Sequence, residues 1–149
     1  MADLRFRQIV TGVTLAGTTE QTLIQLLAPT NQRVKLTELS VSFKGTSNTD
    51  APVQVRLMVQ TSAGTASSGT PALIDADMAE TIQTASRITF TVEPSYSTVI
   101  GTWQVHPQTG LILPMSTIKP PVIKGGTRMA LVALAPTTVT CSAYLECEE

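Results

Sequence analysis

Val53, Val55, Leu57 and Val59 place an apolar side chain on every second residue, and the same beat returns along most of the chain. Ile88, Phe90 and Val92 keep it, as do Val139, Cys141, Ala143, Leu145 and Cys147. A period of two gives a β-strand one buried and one wet face, so the pattern predicts strands and leaves little room for helix.

Strands are expected over residues 9–15 and 22–27, separated by Gly17, before a turn at Ala28-Pro29-Thr30-Asn31. The next strand, 33–43, slips in phase. Val34 and Leu36 are even, whereas Leu39, Val41 and Phe43 are odd. One extra residue near Thr37-Glu38 returns both sets to one face, which predicts a β-bulge. Further strands are expected over 53–60, 87–92, 98–105, 128–134 and 137–147. Residues 61–70 (TSAGTASSGT) are small and polar and read as a surface loop, or as an arm that orders on a neighbouring subunit. Residues 75–85 are the one helix candidate, with Asp77 able to cap and Met78, Ile82 and Ala85 roughly on one face. Pro114, Pro120 and Pro121 keep 111–123 extended but irregular. About eight strands with connections of unequal length predict an all-β fold, a jelly-roll or Greek-key sandwich. Residues 1–8 are expected as an N-terminal arm and 9–149 as a single β-sandwich domain.

A chain of 149 residues suits one domain, and such a domain buries roughly 70% of the surface of its unfolded chain. Its formal charge of −1 gives no basic stripe for nucleic acid. Only 14% of residues are charged, against roughly 25% in soluble domains generally. A surface so poor in charge suits one that partners cover. No run approaches the roughly 20 apolar residues that span a bilayer, and Met1 to Arg7 lacks the apolar core of a signal peptide. A cytoplasmic product with no membrane partner is expected. Cys141 and Cys147 share the parity of Val139 and Leu145 and are expected as reduced core thiols; fully extended, they lie about 20 Å apart, too far to pair.

No catalytic constellation emerges. Nucleophilic catalysis needs a base beside the nucleophile and a group to orient that base, and the single His106 sits in a turn beside Pro107. Asp75 and Asp77 lack a third ligand for a cation, and Glu146, Glu148 and Glu149 read as a solvated acidic end. Gly125-Gly126 lacks the spacing of a phosphate loop and reads as a tight turn. Trp103 shares the parity of Val99 and Val105 and is expected in the core, leaving Tyr96 as the better contact residue. No catalytic, cofactor-binding or metal-ligating residue is assigned, and the chain is not expected to be an enzyme.

The run from Leu57 to Pro71 (LMVQTSAGTASSGTP), the segment Thr89-Phe90-Thr91-Val92-Glu93-Pro94, the Trp103 to Gly110 strand and turn (WQVHPQTG), and the Gly125-Gly126 entry into a late strand resemble head decoration, or cement, proteins of tailed phages and prophages. The likeness covers most of the chain, roughly from Gly17 onward, and rests on the order of turns and strands. It implies a jelly-roll fold and copies arranged as trimers or dimers outside an expanded head, clamping neighbouring major capsid subunits. A homotrimer is the expected form, made in the host bacterial cytoplasm and carried on the capsid exterior of the virion. Capsid or subunit contacts are expected from Leu4, Arg5, Phe6, Arg7, Tyr96 and His106. The rival expectation is a tail adaptor or a receptor-binding, carbohydrate-binding jelly-roll module, for which Trp103, Tyr96 and Glu93 are the candidate sugar contacts.

Overall fold

The computed structural model describes residues 4–44, 51–116 and 118–149, and none of them is helical. They form β1 Arg5–Leu15, β2 Glu20–Leu27, β3 Val34–Lys44, β4 Val53–Gln60, β5 Thr65–Ser68, β6 Ala72–Leu73, β7 Ala85–Val92, β8 Tyr96–Val105, β9 Leu111–Pro114, β10 Val122–Ile123, β11 Arg128–Leu134 and β12 Val139–Glu148. One sheet runs β10-β3-β12-β1-β6, with β9 also on β3; the other runs β5-β7-β2-β11-β4-β8. Four antiparallel pairs nest inside one another, β1 with β12, β2 with β11, β3 with β9 and β4 with β8. That nesting, divided between two facing sheets, is a jelly roll. Eight strands carry it. The segment from β5 to β7 is an insertion: β5 and β7 widen the second sheet beyond β2, and β6 adds to β1 in the first.

The inward faces meet in one core that includes Phe6, Leu15, Leu23, Leu26, Leu36, Leu39, Leu57, Ile123, Leu131 and Leu145, all fully buried. Two bulges keep long strands in phase with it. In β3, Leu36 faces Cys147 and Glu38 faces Glu146, so Thr37 is the extra residue and Val34, Leu36, Leu39 and Val41 all point inward. This is the bulge that the phase slip predicts. In β1, Val10 faces Ala143 and Val13 faces Cys141, so Thr11 and Gly12 oppose Ser142. Gly12 adopts φ 67°, the left-handed region that glycine enters without steric cost.

Three local expectations are corrected. Residues 75–84 are not helical. The Glu149 carboxylate accepts from the amides of Gln83 (2.6 Å) and Thr84 (3.0 Å), while Ile82 packs on the core. A helix this short is marginal in isolation, so tertiary bonds decide its conformation. Residues 61–70 are not all loop, because Thr65–Ser68 pair with β7. The chain from Arg5 to Gln8 is no separate arm: it is the first part of β1, hydrogen-bonded between β12 and β6.

Both thiols are free and buried. Burial pushes the Cys141 thiol up to about 12, and it pushes Cys147 up as well, helped by the charges of Glu146 and Glu149. Thiolate is the reactive form. Native protein at pH 8 is therefore expected to resist maleimide, with both sulfurs reacting once denaturant unfolds the chain; fast labelling of either thiol in the folded state would contradict this packing.

Candidate contact surface

The outer face of the first sheet carries a cross-strand ionic cluster. Register places Arg7 opposite Glu146 and Glu146 opposite Glu38, and in the next row Arg5 opposite Glu148 and Glu148 opposite Lys35. Alternation sends these side chains outward, because their neighbours Phe6, Leu36, Leu145 and Cys147 point into the core. Glu146 is the hub. Its two carboxylate oxygens accept from Arg5 Nη2 at 2.9 Å and Arg7 Nη2 at 2.6 Å, and Thr37 Oγ1 donates to its carbonyl at 3.1 Å. The Arg7 guanidinium also lies 4.1 Å from the centroid of the Tyr144 ring, a cation–π stack. The Tyr144 hydroxyl donates to Glu38, and Lys35 pairs with Glu148 at 2.8 Å.

The Glu146 side chain is only 8% exposed. Burial pushes its carboxyl up, but hydrogen bonds from Arg7 and Arg5, reinforced by their charges, outweigh that and hold it below the usual carboxylate range. The hydrogen bond to Glu146 raises both guanidiniums in turn. The Tyr144 hydroxyl is raised first by its bond to Glu38, then by burial.

Aliphatic side chains flank this fixed polar centre. One row across the sheet reads Ile9, Tyr144, Ser40, Ile112. Ile9 is 49% and Ile112 67% exposed. Three strand spacings separate them, about 14 Å. Val122, opposite Lys35 on β10, is also exposed.

The expected contact residues divide between faces. Arg5 and Arg7 belong to the cluster just described. Leu4 and Phe6 are buried in the protein's own core, and Leu4 exchanges two backbone bonds with Glu149. Tyr96 opens β8 on the outer face of the second sheet, opposite Gln60, and is about half exposed. His106 organises its turn. Its carbonyl accepts from the amides of Thr109 and Gly110, and its Nδ1 accepts from the amide of Gln108 at 3.2 Å.

Trp103 is only partly buried. It leans on the core from the inward face of β8, and its ring fills the space where a Cβ of Gly101 would sit. The Glu93 carboxylate is taken by the Thr22 amide at 2.8 Å. A depression of about 430 Å³ lined by Pro71, Leu73, Glu80, Thr81, Ile82 and Thr84 offers a single titratable group, Glu80. Among the described residues no three His, Cys, Asp or Glu stand close enough to share a metal ion.

Sequence reading treats Glu146 as part of a solvated end, and it misses Tyr144, Glu38, Ile9 and Ile112. The parity of Glu146 against Leu145 and Cys147 already sends it outward. What parity cannot supply is the partner, because Arg7 meets Glu146 only once β1 is known to pair with β12. Comparison with family models, with curated proteins and with solved structures returned no match.

The cluster has a pH signature. A carboxyl depressed in the folded state stabilises the protein above its unfolded value, about 4.3 for Glu, and that contribution is lost as pH falls through the lower folded value. Glu146→Gln is expected to cost about 1–2 kcal/mol at pH 7, the scale of losing hydrogen bonds to a charged acceptor. The difference from wild type should shrink below pH 3. Urea titrations of both proteins at the two pH values check this, and equal stability at pH 7 would remove Glu146 as the hub.

Proposed function

We propose that the chain is a viral structural protein, a decoration protein that binds the outside of a tailed-phage head and stabilises contacts between major capsid subunits. The observation that carries the reading is the outer face of the first sheet. Three cations, Arg5, Arg7 and Lys35, meet the carboxylates of Glu146 and Glu148 there, Tyr144 donates to a third carboxylate, Glu38, and exposed Ile9, Ile112 and Val122 flank them. An exposed sheet face with a locked polar centre and apolar flanks suits contact with another protein, where apolar contacts supply area and fixed charges supply register. The resemblance in turns and strands supplies the partner class, the major capsid protein, and the setting, the exterior of the virion.

Many weak contacts of this kind add up across a shell, since every copy stabilises its own junction. A homo-oligomer fits the low charge of the whole surface and would place several such faces on the head at once. The carbohydrate-binding alternative has less support. It needs aromatics gathered in one groove, but Tyr96 and Trp103 lie on opposite faces of β8 and Glu93 is already bonded to a backbone amide.

The test uses expanded, undecorated heads assembled from the major capsid protein of the same genome. The purified chain is expected to co-sediment with them and to raise the temperature at which they break open. Ile9→Asp combined with Ile112→Asp should weaken head binding at least tenfold while leaving the melting temperature of the isolated protein within a few degrees, because both side chains are exposed. Heads that neither bind the chain nor gain heat resistance would overturn the proposal.

A further inference from the structure

A sheet edge exposes unpaired amides and carbonyls, and natural proteins blunt it with short strands, prolines, bulges, charges or covering side chains. Three of the four edges here are blunted. Beyond β7 lies β5, four residues with two register shifts. On one side of the first sheet, β9 and β10 are four and two residues long, among Pro114, Pro120 and Pro121. On the other side, β6 has two residues, and the free stretch of β1 is broken at Thr11 and Gly12. The Gln21 side chain caps that stretch further, accepting from the Ala16 amide at 2.6 Å and donating to the Thr14 carbonyl at 3.3 Å.

The fourth edge is β8. It has ten residues and no proline, and among the described residues it pairs only with β4. Its two bulges, at Ser97 and Ile100, leave Gly101 to Val105 as a regular edge. Of the eight strands with seven or more residues, β8 alone carries no charge, although it is the one whose whole length borders solvent. Tyr96, Val99 and Ile100 on it are 47%, 38% and 45% exposed. Among the described residues, no backbone bond outside the ladder reaches it.

We infer that β8 is the protein's self-association edge, pairing antiparallel with β8 of a second copy about a two-fold axis. The occupant follows from the missing charge. In a two-fold pair a strand meets itself, so any charge near the axis meets its like, and an edge free of charge is self-compatible. The register follows from the bulges. Ser97 and Ile100 are extra residues against β4, whereas Gly101 to Val105 pair residue for residue with Leu57 to Val53. The even stretch is centred on Trp103, so a two-fold there sets Thr102 opposite Gln104 of the second copy. It also brings exposed Ile100 and Val99 beside His106 and Pro107 of that copy.

A stable interface takes about 800 Å² per partner, a tenth of this domain's 7855 Å². A five-residue ladder with its flanking side chains covers less, so the dimer is weak and depends on concentration. The unit is two-fold, the dimer among the trimers or dimers that the resemblance implies, in place of the expected homotrimer. The inference holds whether or not the protein binds heads, because it is read on the purified protein alone.

Sedimentation equilibrium over a hundredfold range of concentration tests it. Wild type is expected to pass from monomer to dimer. Thr102 and Gln104 are both exposed, and Thr102 lies opposite Arg56 on β4, so carboxylates are tolerated there. T102E/Q104E sets like charges opposite one another in the pair and should abolish the dimer. T102E/Q104K sets each new carboxylate opposite a new ammonium of the second copy and should retain it. Thermal unfolding confirms that both variants are folded. A wild type that stays monomeric throughout, a trimer, or an oligomer that T102E/Q104E leaves unmoved overturns the inference, as does equal loss in the two variants.

Discussion

The ladder between β1 and β12 is the seam on which the domain closes. Its inner face sets Phe6 against Cys147, Gln8 against Leu145 and Val10 against Ala143, all buried. Its outer face sets Arg7 against Glu146 and builds the ionic cluster. Beyond the strands, Leu4 and Glu149 exchange amide bonds, and the Glu149 carboxylate then fixes the backbone of Gln83 and Thr84. One run of antiparallel pairing thus supplies core, surface and the anchorage of a long connection. Removing it would cut β1, and β6 with it, off from the rest of the first sheet.

Buried polar groups show how closely the second sheet is fitted to this seam. The Gln8 side chain enters the core from β1 and accepts from Ser86 Oγ on β7 at 2.6 Å. Gly69 closes over the pair, and an added Cβ there would lie 2.4 Å from Ser86 Oγ and 2.7 Å from Gln8 Oε1. The contact is satisfied because both partners are polar and no side chain intrudes. It ties the inserted strands to the first sheet.

Much of the fold is legible in the sequence wherever one face must be buried. Val34, Leu36, Leu39 and Val41 disclose the bulge at Thr37 because only an added residue brings them to one side. Cys141 and Cys147 are placed by the same parity. The parts that are not legible depend on partners distant along the chain. Met78, Ile82 and Ala85 show helical spacing, yet the carboxylate of Glu149 holds the end of that segment extended. Thr65 to Ser68 have the composition of a linker and become a strand because β7 offers an edge. The contact surface is hidden for the same reason. Arg5, Arg7 and Glu146 are plain surface charges until the pairing of β1 with β12 makes them a cluster.

The nested pairing also orders the making of the protein. In a chain synthesised from its N-terminus, β3 and β4 find β9 and β8 before β2 can meet β11, and β1 completes its ladder last, when β12 emerges. Contacts so far apart in sequence close slowly. Apart from two residues held by β6, the first of these strands to be made is the last of them to be paired. Throughout that interval Phe6 and Val10 lack the neighbours that bury them in the finished domain, and the bulge at Gly12 is among the few features that keep the waiting strand from offering a regular edge to other nascent chains.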